Sequence, residues 1–368
     1  MKFSIERNGL LDSLQRIHSV IEKKNTVQIL SNILCQVKDN VLSLSATDLE
    51  VGMKINLPVE MKEEGRITLS AKHFLDIVKE LPEKTIDINR KDNNWVELVC
   101  GKKRSNVVSL SADEYPALPS FEEKTYLDTK AAVLRDMIDR TIFAIATDNT
   151  RYLLNGVFLE NTENSMMRMT GTDGHRLSFV DNEVFIKMPD LKRGIIIPRK
   201  GLGELRKLID CDNETIGLAF ERGYIFSKID NKYMFVRLIE GEYPDYRQVI
   251  PKSTDKVMTV KREIITSALK FVVTMSNEKS RGVRINLQGN TLSISSSNPD
   301  LGEAHDEIEI NYSGDPVEIG FNAKYLLECL SVMKGEELEF HFKDKLSPGI
   351  LRECGQRSHT YVIMPMRI

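Results

Sequence analysis

Cysteine is scarce. The 368 residues hold five (Cys35, Cys100, Cys211, Cys329 and Cys354), an odd number with no CxxC pair, which argues against a disulfide framework and against a zinc knuckle. Long hydrophobic runs are missing too. None approaches the roughly 20 residues a membrane span requires, and MKFSIERNGLL at the start lacks the apolar stretch of a secretory signal. A reduced, cytoplasmic protein that keeps away from membranes is the expectation. The six histidines (His18, His73, His175, His305, His341 and His359) show no ligand spacing for zinc. P-loop, nucleophile-elbow and HExxH patterns are absent. KGLGEL, which begins at Lys200, has one GxG without the third glycine of a dinucleotide fingerprint. No cofactor, metal or catalytic residue is expected.

A hydrophobic content of 41% and a charged content of 29% describe ordinary packed domains, and the length suggests two or three of them. The chain also repeats itself. A polar turn between strand-like runs occurs in LSLSATDLEVGM, MRMTGTDGHRLSF and LSISSSNPDLGEA, centred on Thr47-Asp48, Thr172-Asp173 and Ser297-Asn298, each 125 residues from the next. An amphipathic helix follows each turn, beginning at Ser70, Pro198 and Asn322, and an earlier helix precedes it over Arg7–Ile21, Lys130–Ala146 and Arg262–Met275. Strands of period two fill the remainder. Recurrence in one order at one spacing indicates duplication. The expected fold class is α+β, in three domains over 1–122, 127–250 and 253–368, with boundaries where proline and charge interrupt the pattern.

Net charge is −3, which by itself speaks against nucleic acid. Its distribution does not. The six helical spans hold eighteen Lys and Arg against ten Asp and Glu, a net of +8, which leaves −11 for the rest. Helices gathered on one surface would make that surface positive, with phosphate-type contacts indifferent to base sequence.

The repeat, together with TDGHRL (Thr172–Leu177), EYPDYR (Glu242–Arg247), SNEKSRGVR (Ser276–Arg284) and the ending YVIMPMRI, resembles the bacterial DNA sliding clamps, the β subunits of DNA polymerase III holoenzyme, over essentially the whole chain. The resemblance implies a DNA clamp fold: a head-to-tail homodimer of three-domain chains forming a ring, helices inside and sheets outside. Its partners would be duplex DNA, a second copy of itself, DNA polymerases, repair factors and an ATP-dependent clamp loader.

Residue roles carry over on the matching motifs. A groove for short partner peptides would use Leu154, Thr172, Gly174, His175, Arg176 and Leu177 around the second turn. Pro244, Val249, Asn322 and Tyr325 would join it, with Val362, Ile363, Met364, Pro365, Met366 and Arg367 from the chain end. Flexible Met side chains suit varied partners. Gln248 and Pro348 stand where related clamps tend to have a basic residue and a serine, at the groove rim. Candidate cations facing DNA are Lys23, Lys24, Lys72, Lys79, Arg135, Arg140, Arg199, Lys200, Arg206, Lys207, Lys270, Lys324 and Lys334. The dimer contact would set Lys102, Lys103, Arg104 and Val107 against Asp300, Glu303, Asp306 and Glu307, beside Thr274 and Met275. Ser105 and Thr274 look small for positions where the family often has bulky apolar groups. Two other functions fit parts of the sequence: a repeat-built protein scaffold that never meets DNA, and a hydrolase using Asp173 and His175 as an acid–base pair.

Overall fold

The computed structural model describes residues 1–21, 27–122, 124–162, 166–183, 194–209 and 213–367. Its helices are α1 (Arg7–His18), α2 (Ala71–Glu80), α3 (Ala131–Asp139), α4 (Arg199–Leu208), α5 (Arg262–Val272) and α6 (Ala323–Val332). Each begins directly where a strand ends. The strands Lys2–Glu6, Leu127–Lys130 and Lys256–Lys261 run into α1, α3 and α5, and Gly65–Ser70, Ile195–Pro198 and Val317–Asn322 run into α2, α4 and α6. The repeat read from sequence is thus a repeat of strand-to-helix units. Amphipathic spacing fixes the inward faces: α1 buries Leu10, Leu14 and Ile17, and α5 buries Ile265, Ala268, Leu269 and Val272.

The odd-numbered helices are shorter than expected. After α3 and α5 the chain tightens into 3₁₀ turns at Ile142–Ala144 and Val273–Met275. At the end of α3 the Thr141 hydroxyl donates to the Met137 carbonyl at 2.8 Å, a local bond that competes with helix continuation.

By contact density the described chain forms two units, Met1–Ala132 with Lys200–Leu238, and Val133–Arg199 with Ile239–Ile368. The middle repeat contributes to both. The first unit holds a thirteen-stranded antiparallel sheet; the second holds a nine-stranded and a four-stranded sheet.

Strand pairing explains why the units cut across the repeat. In the first unit, Val51–Pro58, which follows the Thr47-Asp48 turn, pairs with Lys232–Arg237. In the second, Arg176–Glu183, which follows the Thr172-Asp173 turn, pairs with His359–Ile363. The third equivalent, Gly302–Glu309, is an edge: among the described residues it pairs only with Thr291–Asn298. Among the described residues a second open edge lies on Lys103–Leu110, whose far side meets Gly65–Ser70 only at Ser109 and Leu110.

The terminal strand His359–Ile363 is buried throughout and splits its side chains between two cores. Tyr361 and Ile363 enter the large C-terminal cluster with Phe321, Phe340 and Leu326. Val362 points the other way, into a cluster with Leu177, Phe179, Tyr243, Tyr246 and Ile350. That division is the period-two geometry of a strand packed on both faces.

Candidate functional site

The second polar turn supplies one rim of a candidate pocket. Asp173 Oδ1 accepts from the backbone N–H groups of His175 (2.9 Å) and Arg176 (3.0 Å), and Oδ2 accepts from Arg176 Nε at 3.2 Å. Thr172 Oγ1 donates to the Arg176 carbonyl at 2.6 Å and accepts from Gly174 N–H at 3.1 Å. Gly174 adopts φ +85°, a left-handed conformation that glycine takes without strain. The first turn uses the same bonds: Asp48 Oδ1 accepts from Glu50 and Val51 N–H, and Thr47 Oγ1 donates to Val51 O. In the third, Asn298 accepts from Asp300 N–H. Asp173 is therefore a turn former with both oxygens engaged, which removes the main support for a hydrolytic acid–base pair with His175.

Against this rim lies a pocket of about 140 Å³, lined by Leu154, Thr172, Gly174, Arg176, Leu177, Pro244, Asp245, Tyr246, Val249, Val362 and Met364. Nine of these were expected from sequence. Asp245 and Tyr246 were not, although both stand in EYPDYR; only tertiary packing turns them toward the pocket. The walls are mainly apolar, with few hydrogen-bonding groups, which suits a hydrophobic anchor of a short peptide.

Other expected groove residues play supporting parts. The His175 side chain is exposed, and its carbonyl accepts from Met364 N–H at 2.9 Å, so the tail leaves the sheet along the rim. Met366 N–H donates to the Gly320 carbonyl at 2.9 Å. Pro365 is half-buried and Arg367 exposed. Tyr325 stacks beneath the Arg176 guanidinium, 4.5 Å from its ring centre, while Asn322 caps α6 by accepting from Lys324 N–H at 2.9 Å. Arg176 also pairs with Glu328 and donates to the Phe143 carbonyl, which locks the wall in place. Ile363 requires correction: it is wholly buried in the C-terminal core, on the opposite face from the pocket. At the rim, Gln248 is exposed and donates to Asp245 Oδ2 at 3.1 Å, and Pro348 is half-buried.

The expected cations divide. Lys23 and Lys24 lie outside the described residues. Lys72, Lys79, Arg199, Arg206, Lys207, Lys270, Lys324 and Lys334 are exposed on or beside helices, and Arg135 is half-buried. Some are partly offset: Lys207 pairs with Glu204 at 2.7 Å, Lys334 with Asp136 at 2.5 Å, and Lys324 stands 3.9 Å from Glu328. Two are corrected. Lys200 is half-buried and bound to the nearly buried Asp48, so its charge is spent within the fold. Arg140 is only 6% exposed. It bonds Glu353 at 2.9 Å and Asp136 at 2.8 Å and touches His359 Nδ1. A buried cation needs such partners because desolvation otherwise dominates. Burial first, and Arg140 second, hold His359 neutral, its pKa pushed down to about 2. The neutral ring accepts at Nδ1 and faces the Ser178 hydroxyl at 3.4 Å through Nε2. Helix spacing could not show this, because Glu353 and His359 arrive from more than two hundred residues away.

At the two open edges, Lys102, Lys103 and Arg104 are exposed and Val107 half-buried on or beside one strand; Asp300, Glu303 and Glu307 are exposed and Asp306 half-buried on or beside the other. Thr274 is exposed and Met275 half-buried. Lys103 also donates to the Glu80 carbonyl at 2.5 Å, and Arg104 lies 3.5 Å from Glu97.

Comparison with known proteins finds matches along the whole chain. Residues 1–119, 128–245 and 247–367 match the N-terminal, central and C-terminal domain models of the DNA polymerase III beta subunit. The chain is 35% identical to the beta sliding clamp of Pseudomonas putida and 31% identical to that of Vibrio cholerae, each over 100% of both chains. Among solved structures, it is similar to the DNA polymerase III subunit beta of Pseudomonas aeruginosa, with a TM-score of 0.94, 34% identity and 100% of both chains covered. It is also similar to the DNA polymerase sliding clamp of Bacillus subtilis, with a TM-score of 0.95, 28% identity, 100% of this chain covered and 99% of that one. The chain belongs to the DNA polymerase III beta subunit family, the bacterial beta sliding clamps.

Proposed function

We propose that this chain is the processivity factor of bacterial DNA replication: two copies close head to tail into a ring around duplex DNA and tether polymerases by their peptides. The observation that carries the reading is the pair of strand edges left over by the repeat. Among the described residues, two of three equivalent strands are covered on their outer edge by a strand of another repeat, and the third, Gly302–Glu309, is not. The strand that would cover it by analogy, Lys103–Leu110, is itself open over Lys103–Val108. Both edges belong to one chain, so the contact is heterologous, and a rotation that closes gives a ring. Three modules over 1–122, 127–250 and 253–368, doubled, would supply six.

The ring does the holding, and the charges need only be weak. Lys72, Lys79, Arg199, Arg206, Lys207, Lys270, Lys324 and Lys334 are the exposed helix-associated cations offered to phosphates. Such contacts are salt-sensitive and sequence-blind, which permits sliding. The pocket around Leu177, Val362 and Met364 would take the apolar anchor of a polymerase or repair-factor peptide, and tethering makes each re-engagement effectively intramolecular. No chemistry is asked of the clamp itself, and opening would fall to an ATP-dependent loader.

Retention after loading tests the reading. The protein should stay on closed circular duplex through a high-salt wash and leave when the circle is cut. Equal loss from both substrates would favour a scaffold without topological linkage.

A further inference from the structure

We infer that the seam between two copies is anchored by an apolar cluster in which Leu301 of one copy packs on Val108 and Trp95 of the other. The inference rests on the head-to-tail pairing proposed above. Its register comes from the two seams made within the chain. In the first, Val51 lies opposite Val236, and Arg237 N–H donates to the Glu50 carbonyl at 2.7 Å. In the second, Arg176 lies opposite Ile363, and Met364 N–H donates to the His175 carbonyl at 2.9 Å. Each time, the residue just before the post-turn strand accepts from the residue just after the opposed pair.

In the third module the residue before the strand is Leu301, and Gly302 begins it. The first-module counterpart of Val236 follows from hairpin geometry. The Ile229–Lys232 pair closes one hairpin, with Val236 opposite Ile225; the Cys100–Lys103 pair closes the other, with Val107 opposite Val96. Val236 and Val107 therefore hold the same place, each opposite an inward-facing residue that is at most 3% exposed. Gly302 then falls opposite Val107, and Leu301 opposite Val108, with Val108 N–H donating to the Leu301 carbonyl.

Exposure supports this alignment. Leu301 is 60% exposed, Val108 56% and Trp95 40%, and Trp95 is the cross-strand neighbour of Val108. Large apolar groups left open on a strand edge point to a partner. The same register sets Asp306 opposite Lys103, and leaves Arg104 diagonal to both Glu303 and Glu307, within reach of opposite charge. It sets Ala304 against Ser105, where little apolar surface meets. The apolar contact of the seam is thus carried by Leu301, Val108 and Trp95.

Directly opposed residues bring Cβ atoms to disulfide range. Leu301→Cys combined with Val108→Cys should cross-link the full-length dimer on mild oxidation, and Leu301→Cys with Arg104→Cys, four residues away, should not. Trp95 is the only tryptophan, so its emission should shift to the red as the protein is diluted from dimer to monomer. Leu301→Ser should raise the dimer dissociation constant at least tenfold in sedimentation. Equal cross-linking of the two cysteine pairs, unchanged Trp95 emission across dissociation, or an unchanged dissociation constant in Leu301→Ser would each overturn the cluster while leaving the ring intact. A folded chain that stays monomeric at every concentration would overturn both the cluster and the ring.

Discussion

Arg176–Glu183 and Gly302–Glu309 are the same strand of the repeat with opposite fates. The first turns Leu177 and Phe179 to an apolar cluster and is covered by the chain's own last strand. The second turns Glu303, His305 and Glu307 outward and, among the described residues, is left uncovered on that edge. Alternating charge on an edge resists indiscriminate pairing yet accepts a complementary edge. The same strand of the repeat is thus covered or left open according to a few outward side chains. The polar lining differs in the same way: the covered strand has Arg140 and His359 sealed beneath it, whereas His305 on the open strand is exposed.

The largest expected effect at neutral pH breaks the covered strand. Arg140→Ala leaves Glu353 without its cation in a site where Glu353 is only 3% exposed, at a cost of roughly 3–5 kcal/mol. Urea titration should show the midpoint fall at unchanged slope. A loss under about 1 kcal/mol would put the buried network on a par with an exposed ion pair.

Next comes pH. His359 titrates at about 2 in the fold against an ordinary value of 6.5. Below 6.5 the unfolded chain takes up a proton that the folded chain refuses, so stability declines as pH falls from 6.5 toward 2. The slope from this group reaches about 1.4 kcal/mol per pH unit. His359→Gln should flatten that limb; identical profiles for wild type and His359→Gln would sink the assignment.

The smallest effect concerns the groove. Met364→Ala should weaken an apolar partner peptide about tenfold, or about 1.4 kcal/mol, by fluorescence anisotropy, with folding intact. Val108→Ala, at the equivalent place on the open edge, should leave peptide affinity alone. Equal affinity in Met364→Ala would move the peptide elsewhere.

Much was legible because it is local. Asp and Thr at the first two polar turns accept from N–H groups two and three residues on, and the Thr hydroxyl donates to a carbonyl four residues on, so Thr47-Asp48 and Thr172-Asp173 are legible as turns. Apolar spacing likewise marks α1, α2 and α5 and their inward faces. The pocket was partly legible: Leu177, Val362 and Met364, grouped from the sequence, line it together, whereas Asp245 and Tyr246 depend on how the EYPDYR segment folds back. Arg140 and Lys200 misled because helix spacing reports which face a residue occupies, not which carboxylate waits across the gap.

By itself, then, the sequence determined the threefold repeat, the helices and turns of each module, and the apolar tail, all of them set by periodicity and short-range hydrogen bonding. Tertiary structure alone decided that Ile363 joins the core while Val362 faces the pocket, that Arg140 is buried, and that two strand edges stay open. Those outcomes depend on pairings between residues far apart in the chain, where desolvation and strand register decide which groups are covered.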